Sequence, residues 1–177
     1  MSPFRRVIGC IPAKPQAYRY LLEIQLVGVP ERCKPGVVIM KNPSTADSFK
    51  SDPTIGKVES WARSSGFTHL QILNLFARRA THPGDLNLVR MGTAKGREND
   101  RMIQSVCGTA STIILAWGNP NGITQERYDQ RIAEVLRILR HKPLYCVGPP
   151  TQLGYPRHGL HWRIGMQLQR WPVSQAF

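Results

Sequence analysis

The stretch Val37-Val38-Ile39-Met40-Lys41-Asn42-Pro43-Ser44-Thr45-Ala46-Asp47 starts as a short apolar run and ends abruptly in polar residues and a proline. Consecutive large apolar residues without alternation suit a strand buried on both faces, as in the centre of a parallel sheet. Working outward, Leu70 to Leu75, Thr112 to Trp117 and Leu144 to Val147 read the same way. Helical patterns lie between these runs. Asp52 can cap a helix, Pro53 fits its first position, Ile55, Val58, Trp61 and Ala62 share one face, and Gly66 ends it. Glu98 to Cys107 reads as a second helix. Gln125 to Arg140 is an amphipathic third, with Ile132, Val135, Leu136 and Leu139 on one stripe and Arg127, Arg131, Glu134 and Arg137 elsewhere. Strands alternating with helices predict an α/β sandwich on a mainly parallel, four-stranded sheet. Thr81 to Leu88 reads as a connection. Upstream, Tyr18 to Val27 reads as a strand paired with Val7 to Ile11, while residues 1–17, rich in proline and basic side chains, are expected to form a loosely attached arm before a single domain, 18–177.

The chain has 177 residues and 41% hydrophobic content, enough for one domain with a core. It contains no apolar run near the roughly 20 residues a membrane helix needs, and the N-terminus does not read as a signal peptide. Cys10, Cys33, Cys107 and Cys146 are scattered, with no Cys-x-x-Cys pair, so neither a disulfide scaffold nor a zinc ribbon is indicated. The expected setting is a reduced cytoplasm, with no membrane partner. Lys and Arg total 24 against 11 Asp and Glu, a net charge of +13. Such an excess points to a polyanion, of which nucleic acid is the commonest soluble one.

Ligands of open parallel α/β sheets bind just outside the carboxyl ends of the strands. Asn42-Pro43 leaves the first run there, where the Asn either holds a water or closes an Asx turn. Ser44 and Thr45 suit a phosphate or a turn cap. Asp47 and Asp52 are the nearest carboxylates, Asp52 being better placed as a helix cap. Asn74 closes the second run, and its amide offers the donor and acceptor that reading a base edge requires. Arg78 and Arg79 follow at once. His158 sits in Pro156-Arg157-His158-Gly159-Leu160 beyond the fourth run, where an imidazole can stabilise charge on a leaving group. Leu160 and Trp162 read either as wedges between bases or as core.

Two resemblances follow. Tyr18-Arg19-Tyr20, Asn42-Pro43-Ser44-Thr45-Ala46-Asp47, Asp52-Pro53-Thr54-Ile55, Asn74-Leu75-Phe76-Ala77, Arg79-Ala80-Thr81, Glu98-Asn99-Asp100, Ala116-Trp117-Gly118 and Pro156-Arg157-His158 resemble a widespread, uncharacterised bacterial and phage family. More distantly, the order and strand-end placement of Asn42-Pro43, Asn74 and His158 resemble the uracil-DNA glycosylase superfamily. Met40 and Gly159 depart from its usual Gly and Pro. This resemblance implies a three-layer α/β/α sandwich with four parallel strands and cleavage of an N-glycosidic bond in DNA. Asn42 would position the water, with Asp47 nearby, and His158 would face the leaving base. Substrate contacts would come from Pro43, Ser44, Asn74, Phe76 and Asp100, and DNA contacts from Lys41, Arg78, Arg79, Arg157 and Leu160. Cys107 lies where one branch of that superfamily binds an iron–sulfur cluster, but the other ligands are missing, so no metal or cofactor is expected. The expected partner is single- or double-stranded DNA carrying a damaged or modified base, met by a monomer. A non-catalytic nucleic-acid-binding module and a hydrolase or transferase of free nucleotides are the alternatives.

Overall fold

A computed structural model describes residues 5–14, 16–29, 34–43 and 53–171. The elements run β1 (Arg5–Ile11), β2 (Leu21–Leu26), β3 (Pro35–Met40), α1 (Pro53–Ser64), β4 (His69–Asn74), α2 (Met91–Lys95), α3 (Asn99–Thr109), β5 (Ile113–Leu115), α4 (Gln125–Ile138), β6 (Leu144–Val147) and β7 (Leu168–Arg170), with 3-10 turns at Pro83–Leu88 and Gly159–His161.

The strands form one mixed seven-stranded sheet, ordered β1-β2-β4-β3-β5-β6-β7. β4, β3, β5 and β6 are mutually parallel. The expectation of a four-stranded, mainly parallel sheet is thus corrected by antiparallel strands on both flanks: β2 and β1 beyond β4, and β7 beyond β6. Pattern explains which strands were legible. β3 is buried from Gly36 onward and β5 throughout, whereas β7 is a three-residue edge strand with mostly exposed side chains. The pairing of β1 with β2 matches the expected hairpin. It also corrects the loose arm over residues 5–11, where one side of β1 packs and the other meets solvent.

Side chains alternate between two cores. Val38, Met40, Ile72 and Ile114 pack with Ile55, Val58, Trp61 and Ala62 of α1. Val37, Ile39, Leu73 and Leu115 pack with Ile103 and Cys107 of α3 and Tyr128, Ile132 and Val135 of α4. Helices therefore cover both faces of the sheet. No helix among the described residues is long and apolar enough to cross a membrane.

The carboxyl ends of β3, β4, β5 and β6 share one edge, and aromatic anchors hold the His158 loop against it. The Trp61 indole donates to the Met166 carbonyl at 2.9 Å and the Trp162 indole to the Arg157 carbonyl at 3.1 Å. The two rings meet edge-on at 4.9 Å. Trp162 is therefore core rather than a wedge, while Leu160 is 41% exposed.

Candidate functional site

β3 ends in three residues of alternating direction. Met40 faces α1. Lys41 faces α4, its ammonium 5.8 Å from the centre of the Tyr128 ring. Burial lowers the Lys41 pKa to about 8, because a charged amine loses hydration in an apolar setting. At 3% exposure it is too enclosed for the expected DNA contact. Asn42 returns to the α1 side. Its Nδ2 donates to the carbonyls of Pro43 at 3.1 Å and Ala80 at 2.9 Å, which fixes the amide plane. Both amide protons are thereby used, and Oδ1 remains as an acceptor.

Asn74 ends β4 beside Met40 of β3. It is 1% exposed, and neither polar atom of its side chain has a hydrogen-bond partner. Although it ends the strand, it is enclosed and lines none of the hollows at this edge, which corrects the expectation that it reads a base. Phe76 is fully buried in the α3–α4 core and lines no hollow described below.

Asp100 is turned inward. Its Oδ2 takes a hydrogen bond from Lys95 at 2.8 Å, and its Oδ1 forms an ion pair with Arg131 Nη2 at 2.7 Å without the alignment of a hydrogen bond. Burial alone would raise the Asp100 pKa, but Lys95 and Arg131 hold it below the ordinary value. Arg131, read from the sequence as lying off the apolar stripe of α4, is 0% exposed and donates from Nε to the Leu75 carbonyl at 2.7 Å. Asn99 Nδ2 donates to the carbonyls of Asn74 and Leu75 at 3.0 and 2.9 Å. Asn99 thus seals the end of β4, with Asp100 paired beside it, whereas the exposed Glu98 lines a separate hollow of about 320 Å³ with Tyr20, Arg101 and Met102, away from Asn42 and His158.

His158 caps the Gly159–His161 turn. Its Nδ1 accepts from the Leu160 amide at 3.3 Å. In the neutral imidazole that bond leaves the proton on Nε2. Two glycines set the ring's place. A Cβ on Gly118 would stand 2.6 Å from His158 Cβ, and one on Gly159 would stand 2.6 Å from Val58 Cγ2. The departure at Gly159 has a packing cause: this residue lies against α1, where a side chain does not fit.

Adjoining hollows line the carboxyl edge. The central one, about 140 Å³, is bounded by Arg19, Met40, Asn42, Thr54, Thr81 and His158. Taking liquid water at about 30 Å³ per molecule, it has room for four or five waters or one small ring. On one side it shares Ala80 and Thr81 with a hollow of about 370 Å³ that includes Arg78 and Arg79. On the other it shares His158 with a second hollow of about 370 Å³ that includes Asn119, Asn121, Gln152, Arg157 and His161. Asn42 and His158 are thus brought together, with Arg78, Arg79 and Arg157 to either side. Asn74, Phe76, Lys41 and Asp100 are not part of this group. Ser44 and Asp47 lie outside the described residues, while Pro43 is buried beside Asn42.

Sequence reasoning gave no role to Arg19 or Asn119. Arg19 is 2% exposed, and its amide donates to the Ala77 carbonyl at 2.9 Å. The Tyr18-Arg19-Tyr20 motif was its only signal. Asn119 follows Gly118, and Asn-Pro-Asn-Gly reads simply as a turn. Among the described residues no three of His, Cys, Asp and Glu come together as a metal site needs.

The sequence model of the family described as "Protein of unknown function (DUF1643)" matches residues 19–160, and the chain belongs to that family. No curated protein and no solved structure matches it.

Proposed function

We propose that this member of the family is a DNA glycosylase-like hydrolase, which flips a damaged or modified base out of DNA and cleaves its N-glycosidic bond. One observation carries the reading: Asn42 and His158, from loops after different parallel strands, line the same small hollow at the carboxyl edge of the sheet. The parallel order of β4, β3, β5 and β6, with helices on both faces, agrees with the superfamily that the strand-end residues resemble.

The chemistry follows from where charge develops. Breaking the C1′–N bond sends the electron pair to the base and leaves positive charge on the sugar, which DNA phosphates offset. His158, beside the departing base, would stabilise the negative charge that develops on it. Asn42 Oδ1, held by the two carbonyl contacts of its amide group, orients a water whose oxygen bonds to C1′. Asp47, one of the two carboxylates nearest Asn42 in the sequence, would take that water's proton. Arg78, Arg79 and Arg157 grip phosphates, and the exposed Leu160 fills the space the base leaves.

The test is mass spectrometry of bases released from DNAs carrying uracil, deaminated, oxidised, alkylated or glucosylated bases. Asn42→Ala is expected to cut release about 100-fold through loss of water positioning, with DNA affinity nearly unchanged. Equal release by the variant removes Asn42 from the mechanism. No release from any substrate, with affinity still falling steeply with salt, replaces the hydrolase by a binding module.

A further inference from the structure

We infer that the hollow beyond His158, lined by Asn119, Asn121, Thr151 and Gln152, is a nucleobase pocket in which Asn119 reads the edge of the base. For the bond that is cut it rests on the hydrolase reading; as a base-binding site it stands by itself.

Four observations carry it. The hollow measures about 370 Å³, within the roughly 300–1,000 Å³ of small-molecule sites. Its polar lining includes three neutral amides, Asn119, Asn121 and Gln152, which carry the paired donor and acceptor of a base edge. Arg157, at its border, supplies positive charge, and no carboxylate among the described residues lines the hollow beside it. Asn119 Oδ1 is buried with no hydrogen-bond partner. That oxygen is turned into the protein with almost no surface of its own, so a base meets Asn119 at the other end of its amide, a donor. A half-turn of the amide would bring the unpartnered oxygen out as an acceptor, so the residue can match either polarity.

The walls are fixed before any ligand arrives. The Gly118 amide donates to the Pro156 carbonyl at 2.9 Å, tying the β5 exit to the His158 loop. Across the hollow, the Tyr155 amide donates to Thr151 Oγ1 at 3.2 Å. His158 separates this pocket from the hollow of Asn42. A C1′–N bond spanning that boundary puts the sugar beside the Asn42-held water and the departing base in the amide-lined pocket. The base-reading role once expected of the buried Asn74 thus passes to Asn119.

The experiment is a titration of the full isotope-labelled chain with the four deoxynucleosides, following side-chain amide signals by NMR. At least one nucleoside is expected to shift Asn119, Asn121 and Gln152 at millimolar concentration. Asn119→Ala and the isosteric Asn119→Asp should each weaken that binding about tenfold with the thermal midpoint unchanged, a loss appropriate to one buried hydrogen bond. Absence of shifts at these residues with every nucleoside, shifts confined to Asn42, or undiminished binding by both variants overturns the inference. Base release without shifts at Asn119 would reject the pocket and keep the hydrolase. Shifts without release would do the reverse.

Discussion

On the α3 and α4 side of the sheet, Asn99, Asp100 and Arg131 turn toward the backbone and toward one another. On the side of the His158 loop, Asn42 uses one end of its amide to hold the chain and keeps the other for the hollow, and Asn119 keeps a buried oxygen without a partner. Both groups lie close to the carboxyl edge, and both look equally chemical in the sequence. Unmet capacity does not separate them, since Asn99 Oδ1, Asp100 Oδ1 and Arg131 Nη2 lack hydrogen-bond partners just as Asn119 Oδ1 does. What separates them is that Asn42 and Asn119 border hollows at the carboxyl edge, where a ligand can enter, whereas Asn99, Asp100 and Arg131 brace the strand end they cover.

The largest test of this contrast is Arg131→Met. Removing the fully buried partner of a charge network costs about 3–5 kcal/mol, because the Leu75 carbonyl and Glu134 lose a donor and the partly exposed Asp100 loses an ion-pair partner. Urea unfolding should show that loss, while nucleoside binding well below the midpoint stays unchanged. A variant as stable as the parent would return the cluster to the list of candidate sites.

A smaller effect is expected at Gly118. Gly118→Ala would place a methyl 2.6 Å from His158 Cβ at a backbone φ of +67°. Left-handed strain of about 1–2 kcal/mol and overpacking of about 1–3 kcal/mol should sum to roughly 2–5 kcal/mol. Gly165→Ala separates the two terms. It has φ of +89° with nothing within 4 Å of the added atom, so it carries strain alone. Gly118→Ala should also displace His158 and reduce base release, whereas Gly165→Ala should leave release intact. Equal effects on release would mean that His158 is not held by this contact.

The sequence made the central strands legible because burial on both faces leaves unbroken apolar runs, as at Val37 to Met40. It made α1 and α4 legible through their apolar stripes. It could not show β7, whose three residues lack a burial pattern, nor that Arg131 turns inward, since an arginine off the stripe of an amphipathic helix reads as solvated. Within the site, Asn42 and His158 were legible because prolines and glycine mark their turns at strand ends. Asn74 misled because strand-end position does not reveal depth. Asn119 drew no notice because Asn-Pro-Asn-Gly is common turn chemistry, and only the folded chain sets this residue on the wall of a hollow shared with His158.

Lys41 tests the boundary between the two regions, since it adjoins Asn42 in sequence and points to the opposite face. An unfolded lysine titrates near 10.4, while the folded one is lowered to about 8 by burial. Between those values the unfolded chain binds more protons, so stability contributed by this group rises as pH increases from about 8 toward 10. Below about 8 the folded protein carries a buried charge with no ion-pair partner among the described residues, which opposes folding. Lys41→Met removes that cost with little change in length. It should stabilise the protein by roughly 1–2 kcal/mol at neutral pH, allowing for partial hydration of the amine, and the advantage should shrink as pH passes 8. Parallel stability curves for parent and variant would show that the ammonium keeps its hydration. A loss of DNA affinity in the variant would then join Lys41 to the His158 side of the comparison, because a lysine retained at a folding cost must be serving a ligand.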